Sequence, residues 1–456
     1  MVHLMATTNP PGLAFEDDLQ ELIRRVNDHP EVRLRLLGEV SSALDVASPA
    51  SEERRRSLAE KVERWRYQVI NHRGGRLSED QSELTRRLDL LELELDGSRP
   101  RPPRSLQAQL ATIRERKIED AALEACLDPR RRIEDVEREA AGLTDATFGE
   151  RGSTAGRRIL LYAPLYLSNH CINHCLYCGF RYSNPMARDQ LDLPRVLDEL
   201  EILGRRDFRH ILLVAGEHPA MVSGEYLAGM VRAVSGRHYH VGVEIAPQST
   251  AGYRKLAEAG ATSVTLYQET YDPERYAAYH PRGTKAWYDW RVEGPERAAD
   301  AGIRRLGLGI LLGLGDHVEE LRALVAHGRY LLDRYPGLKL SLSLPRIHEA
   351  PQGFQPPFLI DDDTLVRSYC ALRKAFPTAN LVLSTRESAS LRDRLARVCI
   401  TQMSAGSSTS PGGYQEAECD VESRQQFPVH DQRTVEEVHA RLISDGFRPL
   451  WEPEGL

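Results

Sequence analysis

The 456-residue chain has no apolar run of membrane-spanning length, so no transmembrane helix is expected. Its first residues, Met1 to Pro11, lack a basic stretch followed by an apolar core, so export is not expected and a cytoplasmic location is. Positive charge is not in excess. With 60 Lys and Arg against 67 Asp and Glu, the net charge of -7 argues against a broad nucleic-acid surface. Cysteine is scarce too. Four of the seven thiols, Cys126, Cys370, Cys399 and Cys419, are scattered and read as inert, which suits a reducing compartment better than a disulfide framework. What remains is ordinary globular material, 41% hydrophobic and 28% charged, long enough for one large domain and a smaller one.

The chain divides by periodicity. Over residues 1–98 apolar positions recur at helical spacing, as in Leu58, Val62, Trp65 and Val69, and predict a helical extension that bundles or docks a partner. Residues 99–105 alternate Arg and Pro and read as a stiff linker; a basic motif for an acidic partner is the alternative. A helical lead-in covers 106–158. From Ile159 short apolar runs alternate with amphipathic segments, the pattern of βα units around a parallel sheet. Strands are expected at 159–166, 210–215, 241–246, 263–268, 304–312, 338–344, 380–384 and 399–403. Eight of them predict an α/β fold of the (βα)8 barrel type over 159–403, with chemistry at the strand ends. Residues 404–456, including a helix from Val435 stopped by Gly446, read as a small cap on one end of the barrel.

The strand ends carry the candidate chemistry. After the first strand come Cys171, Cys175 and Cys178, spaced C-x3-C-x2-C. Three thiolates can hold three corners of a four-iron cluster and leave one iron open to a non-protein ligand. Zinc also uses clustered thiolates, and His170 and His174 lie alongside to complete such a site. Tyr177 either packs against a cofactor ring or simply fills space. Gly216 and Glu217 end the second strand, where glycine permits close approach and a carboxylate accepts from an amino group. Glu244 and Glu269 sit inside apolar strands, which is costly unless each binds a ligand or an ion-pair partner such as Arg291. Arg346 follows the sixth strand, its planar fork suited to a substrate carboxylate, and Ser384, Thr385 and Arg386 close the seventh similarly. A surface ion pair is the alternative for each arginine. Gly307, Gly309, Gly313 and Gly315 punctuate a strand rather than a strand-to-helix turn, so they are not a dinucleotide loop.

With these residues in view, Tyr166-Leu167-Ser168-Asn169, Cys171, Asn173, Cys175, Tyr177-Cys178-Gly179-Phe180 and Asn184 resemble the radical S-adenosylmethionine (SAM) enzymes of the aromatic amino acid lyase group. Within it the chain is most similar to the tyrosine lyases of thiamine biosynthesis. The resemblance continues through Tyr267-Gln268-Glu269-Thr270-Tyr271, Leu383-Ser384-Thr385-Arg386-Glu387 and Thr401-Gln402-Met403-Ser404-Ala405-Gly406-Ser407, and spans about 121 to 451. It implies a radical SAM barrel whose C-terminal cap is the region associated with biotin and thiamin synthesis. It implies that Cys171, Cys175 and Cys178 ligate a [4Fe-4S] cluster, whose open iron is chelated by S-adenosylmethionine. Glu217 would help hold the methionyl amino group, and Tyr177, Gly216, Glu244 and Glu269 would line the cofactor. Arg346, with Ser384 nearby, would take the amino acid's carboxylate. The implied reaction is reductive cleavage of the sulfonium to a 5′-deoxyadenosyl radical, which takes a hydrogen from the tyrosine amine. The Cα–Cβ bond then breaks to p-cresol and dehydroglycine (2-iminoacetate), which supplies the thiazole ring. Implied partners are an electron donor such as flavodoxin or ferredoxin, and thiazole synthase.

The chain departs from the family at one segment. Pro345-Arg346-Ile347-His348-Glu349 stands where the family has Pro-Arg-Leu-Arg-Pro, so His348 replaces a second arginine. A radical lyase acting on tryptophan keeps the mechanism and changes the substrate; a zinc-binding scaffold without catalysis is a different class. The cysteine-rich C-terminal region of the hydrogenase-maturation relatives has no counterpart, since Cys419 stands alone, so carbon monoxide and cyanide production is not expected.

Overall fold

The computed structural model describes residues 121–149, 156–415 and 424–453; the expected N-terminal extension and linker lie outside these residues. Eight parallel strands close into a barrel: β1 (Arg158–Ser168), β2 (His210–Ala215), β3 (His240–Glu244), β4 (Ala261–Glu269), β5 (Arg305–Ile310), β6 (Lys339–Ser343), β7 (Asn380–Leu383) and β8 (Gln402–Ser404). Closure is made by β1, which pairs β8 through Leu160–Tyr162 and β2 through Ala163–Ser168. Inside the barrel and under the helices the strands are buried on both faces, and β1 reads as one continuous apolar run for that reason.

The helices around the barrel start where the sequence supplies a cap. Asp192, Ser223, Ser249, Asp272, Asp316, Asp361, Ser388 and Thr434 each accept a hydrogen bond from a backbone N–H of the first helical turn. The short caps fix where each strand hands over to its helix, and so where each loop at the barrel mouth stands. Two helices, Ala121–Leu127 and Ile133–Phe148, precede β1 and pack on the helix Asp362–Ala375. No helix among the described residues is long and apolar enough to cross a membrane.

Two expectations need adjusting. The eighth strand begins at Gln402 rather than at residue 399, because the Cys399 and Ile400 N–H groups both turn back to Leu395 O and end the helix Ala389–Val398. The tail does more than cover one end. Residues 426–431 cross the mouth of the barrel, where Gly179 N donates to Gln426 O and His430 N to Thr385 O. The helix Val435–Ser444 follows, and Gly446 at φ 83 lets Phe447 N reach Leu442 O, closing its C-terminus. A ninth strand, β9 (Arg448–Leu450), then pairs β1 at Arg158–Leu160, filling the notch below β2 at the opposite end of the barrel.

Candidate active site at the mouth of the barrel

The cysteine loop leaves β1 at Ser168 and is tied down through its backbone. Ile172 N donates to Glu217 O at 2.8 Å, His174 N to Arg282 O at 3.1 Å, Leu176 N to Tyr279 O at 3.1 Å and Gly179 N to Gln426 O at 3.1 Å. The loop thus takes its shape from three distant parts of the chain, around residues 217, 279–282 and 426. Asn169 adds to this by donating to Ala187 O and accepting from Asp189 N. Gly216 is forced by the packing, because a Cβ there would lie 2.4 Å from His170 O and 3.3 Å from Cys171 Cβ. Glycine at the end of β2 is what lets the loop close against it.

The three thiols suit thiolate ligands of a cluster. Amide donors approach two sulfurs: Asn173 Nδ2 lies 3.7 Å from Cys171 Sγ and Gln426 Nε2 lies 3.7 Å from Cys178 Sγ. Burial first, and then the neighbouring Cys178, push the Cys171 thiol up to about 11, and burial raises Cys175 as well. Without a metal these groups hold their protons; iron displaces them. The two histidines weighed for a zinc site are engaged elsewhere. His170 faces the His218 ring edge-on at 6.0 Å, and His174 faces Tyr182 at 5.3 Å.

A cavity opens beside the loop, over the C-terminal ends of the strands. Cys178 and Tyr177 form one wall, Glu244 and Glu269 another, and Ser384 and Arg386 a third. Glu217 is not among the lining residues; its Oε2 lies 2.7 Å from Asn173 Nδ2, in the cysteine loop. Tyr177 is both a lining residue and an anchored one, since its hydroxyl meets His280 Nε2 at 2.7 Å. Glu269 sits at φ 71 where the β4 ladder shifts register, a conformation that costs on the order of 1–3 kcal/mol outside glycine. Its Oε1 is paired with Lys285 at 2.6 Å and Arg291 at 3.3 Å. Although burial works to raise it, Lys285 and Arg291 together hold the Glu269 carboxyl below its ordinary value. Arg291, the ion-pair partner expected for it, is therefore present, and both cations meet the same oxygen. Glu244 differs. Burial, reinforced by Glu269, pushes its carboxyl up to about 7.

The two arginines separate sharply. The Arg346 guanidinium is saturated: Nε and Nη2 grip Glu387, with the shortest contact at 2.6 Å, Nη2 also meets Asp362 at 2.6 Å, and Nη1 donates to Ile360 O at 2.9 Å. Arg346 is not among the residues that line the cavity. Arg386 does line it, stacked over the Phe427 ring with no ion pair or side-chain hydrogen bond among the described residues. Burial lowers its pKa, and the more distant Tyr166, Glu269, Cys178 and Glu244 oppose that shift only in part. The free fork thus belongs to the seventh strand end, not the sixth. Lys285 and Gln426 are further site residues that sequence spacing gave no signal for; neither stands at a strand end, and only the folded loops bring them in.

The comparisons with known proteins decide the family. The Radical SAM superfamily model matches residues 165–327, and the Biotin and Thiamin Synthesis associated domain matches residues 343–448, reaching back into β6. The chain is 37% identical over 321 residues to 2-iminoacetate synthase of Escherichia coli (strain K12), covering 70% of this chain and 82% of that protein. This chain belongs to the radical SAM family of the 2-iminoacetate synthases. Among solved structures, the [FeFe]-hydrogenase maturase HydG from Carboxydothermus hydrogenoformans is 27% identical, with a TM-score of 0.64 over 98% of this chain and 86% of its own. Methylornithine synthase (PylB), at 21% identity and a TM-score of 0.59 over 76% of this chain and 97% of its own, shares the fold. The cofactors of this radical SAM enzyme are a [4Fe-4S] cluster and S-adenosylmethionine, and the tethered thiol loop with its amide donors fits them.

Proposed function

We propose that this radical SAM lyase cleaves the Cα–Cβ bond of L-tyrosine, giving p-cresol and dehydroglycine for the thiazole of thiamine. The observation that carries it is the Arg386 guanidinium, which lines the same cavity as Cys178 with no ion pair among the described residues and so is available to an amino acid carboxylate. Arg386, with Ser384 beside it, replaces Arg346 as the carboxylate receptor. Cys171, Cys175 and Cys178 hold the cluster, leaving one iron for S-adenosylmethionine. Gly216 and Glu217 stand beside Cys171 for its amino group, and Tyr177, Glu244 and Glu269 line the space for its nucleoside. When bound, cluster and cofactor supply reductive cleavage of the sulfonium and hydrogen-atom abstraction.

The protein's share is positioning and exclusion of water. The carboxylate clamp fixes Cα, so the amine turns toward the cluster side and the ring toward the barrel interior, where Tyr162, Tyr267 and Leu212 line the cavity. Gln426 and Phe427 lie over the opening, limiting solvent around a reactive species. Glu244, poised at about 7, is matched to hold or accept a proton near neutrality.

The test incubates reduced, cluster-reconstituted enzyme with S-adenosylmethionine and tyrosine or tryptophan, followed by chromatography and mass spectrometry. p-Cresol and glyoxylate, the hydrolysis product of dehydroglycine, are expected from tyrosine. An indole product with no p-cresol replaces tyrosine by tryptophan while leaving the radical SAM assignment intact. Flavodoxin or ferredoxin as donor, thiazole synthase as the consumer of the product, and a cytoplasmic setting all follow from this reading.

A further inference from the structure

The tail residues that cross the barrel mouth touch the cysteine loop, and Gln426 is where they do so. Its backbone is held on both sides: Gln426 N donates to Thr409 O at 3.0 Å, and Gln426 O accepts from Gly179 N at 3.1 Å. Only glycine allows this approach, since a Cβ at Gly179 would lie 2.3 Å from Gln426 O. The side chain uses both ends of its amide. Oε1 accepts from Tyr166 Oη at 2.9 Å, and Nε2 lies 3.7 Å from Cys178 Sγ. A thiolate only accepts, so it takes the nitrogen end, and the phenol hydroxyl donating to the oxygen end holds the amide that way round. Tyr166 is itself fixed. It stands in β1 opposite Val214, is 5% exposed and meets the Phe180 ring edge-on at 5.9 Å. The two sulfur donors differ in origin. Asn173, beside Cys171, belongs to the cysteine loop, whereas the donor to Cys178 arrives from 248 residues further along the chain.

We propose that Gln426 sets the reduction potential of the cluster through the amide it donates to Cys178, and that Tyr166 is the positioning residue that aims this amide. An N–H directed at a cluster thiolate stabilises negative charge on the sulfur. Reduction adds to that charge, so the donor favours the reduced form and raises the potential. One electron passes from an external low-potential reductant to the cluster, and no atom moves with it. The C-terminal region thereby acts on the centre bound by the first βα loop, and the strength of that action depends on how firmly β1 holds Tyr166. The inference rests on the cluster and is independent of which amino acid is cleaved.

The test is a redox titration of the reconstituted full chain, followed by electron paramagnetic resonance of the reduced cluster, without S-adenosylmethionine or substrate. Gln426→Leu keeps the bulk of the side chain and removes the donor. At a fixed applied potential its ratio of reduced to oxidised cluster should fall about tenfold, a midpoint lower by about 59 mV for a one-electron couple. Tyr166→Phe keeps the ring packing and frees the amide to rotate, so its midpoint should move the same way by a smaller amount, with unchanged iron and sulfide content. A wild-type midpoint in Gln426→Leu overturns the proposal and leaves Gln426 as a packing residue of the tail. If that variant assembles no cluster, Tyr166→Phe decides alone, and a wild-type midpoint there overturns it. A wild-type chain that assembles no cluster at all overturns the cluster assignment and this proposal with it, whereas the absence of p-cresol from tyrosine touches neither.

Discussion

Arg346 and Arg386 leave neighbouring strand ends, and their partners give them different work. Truncating Arg386 removes a charge that nothing in the protein satisfies, so the fold loses little and the ligand loses its anchor. Arg386→Ala is expected to weaken amino acid binding by about 2–5 kcal/mol, the range for a buried charged pair, with thermal stability nearly unchanged. Arg346→Ala is expected to do the reverse. It strands the Glu387 carboxylate, which is 2% exposed and left with only His348 at 3.2 Å, and should cost about 3–5 kcal/mol of stability. Thermal denaturation and substrate titration of both variants check this; equal KM effects would sink the division of labour. Sequence alone marked both arginines as strand-end forks and had no means to choose. The difference lies in Glu387, which follows Arg386 in the chain but turns away from it to Arg346, and only the barrel's curvature reveals that. The cysteines were legible because their spacing is local, whereas Lys285 pairs with Glu269 from beyond the helix Pro273–Tyr279, with no period to read.

At the scale of elements, the loop after β4 is held by a helix. Glu320, in the first turn of the helix His317–Arg334, accepts from the Thr270 hydroxyl and, at 2.7 Å, from Tyr271 N, so it clamps the residues that follow Glu269. Burial pushes the Glu320 carboxyl from 4.5 to about 7. The folded chain then keeps a proton that the unfolded chain has released. This contribution to stability is full below the ordinary value of 4.5 and is lost as pH rises through about 7. Glu320→Gln stays neutral throughout. Its stability relative to wild type should therefore rise by up to about 3 kcal/mol between roughly pH 5 and pH 8, at about 1.4 kcal/mol per pKa unit. Denaturant titrations of both proteins at the two pH values measure the difference, and a flat difference would show that Glu320 is ionised at its ordinary pKa. Strands and helices were readable here because caps such as Asp316 and Ser388 sit at the junctions. β9 was not, since three residues have no alternation to detect and its pairing depends on a notch in β1 made by the stagger of β2.

For the whole molecule, the tail is a strap that joins the site to the barrel wall. Gln426 meets Tyr166 Oη at 2.9 Å and Phe427 stacks on Arg386, so the lid over the cavity is only as well placed as the anchor that follows it. That anchor is Asp431. Its backbone N–H donates to Thr385 O at 3.1 Å, and its carboxylate binds Arg392, whose guanidinium is 0% exposed, and Arg433 at 2.7 Å. A buried guanidinium stripped of its carboxylate costs more than the pair contributes, because desolvation is no longer offset. Asp431→Ala should therefore lose about 3–5 kcal/mol of stability, of which Arg392's remaining bond to Ser404 O recovers only part. The loss should extend to the site, with a raised KM for the amino acid, because Phe427 no longer fixes Arg386. A surface role for Asp431 predicts instead a change below about 1 kcal/mol and no effect on KM. Thermal denaturation paired with substrate titration separates the two. The strap also explains why the family model for the C-terminal region begins at residue 343 rather than at the tail. Thr385 and Arg386 just beyond β7, Arg392 of the helix Ala389–Val398 and Ser404 of β8 hold it, so the last strands, that helix and the tail form one unit beside the cavity.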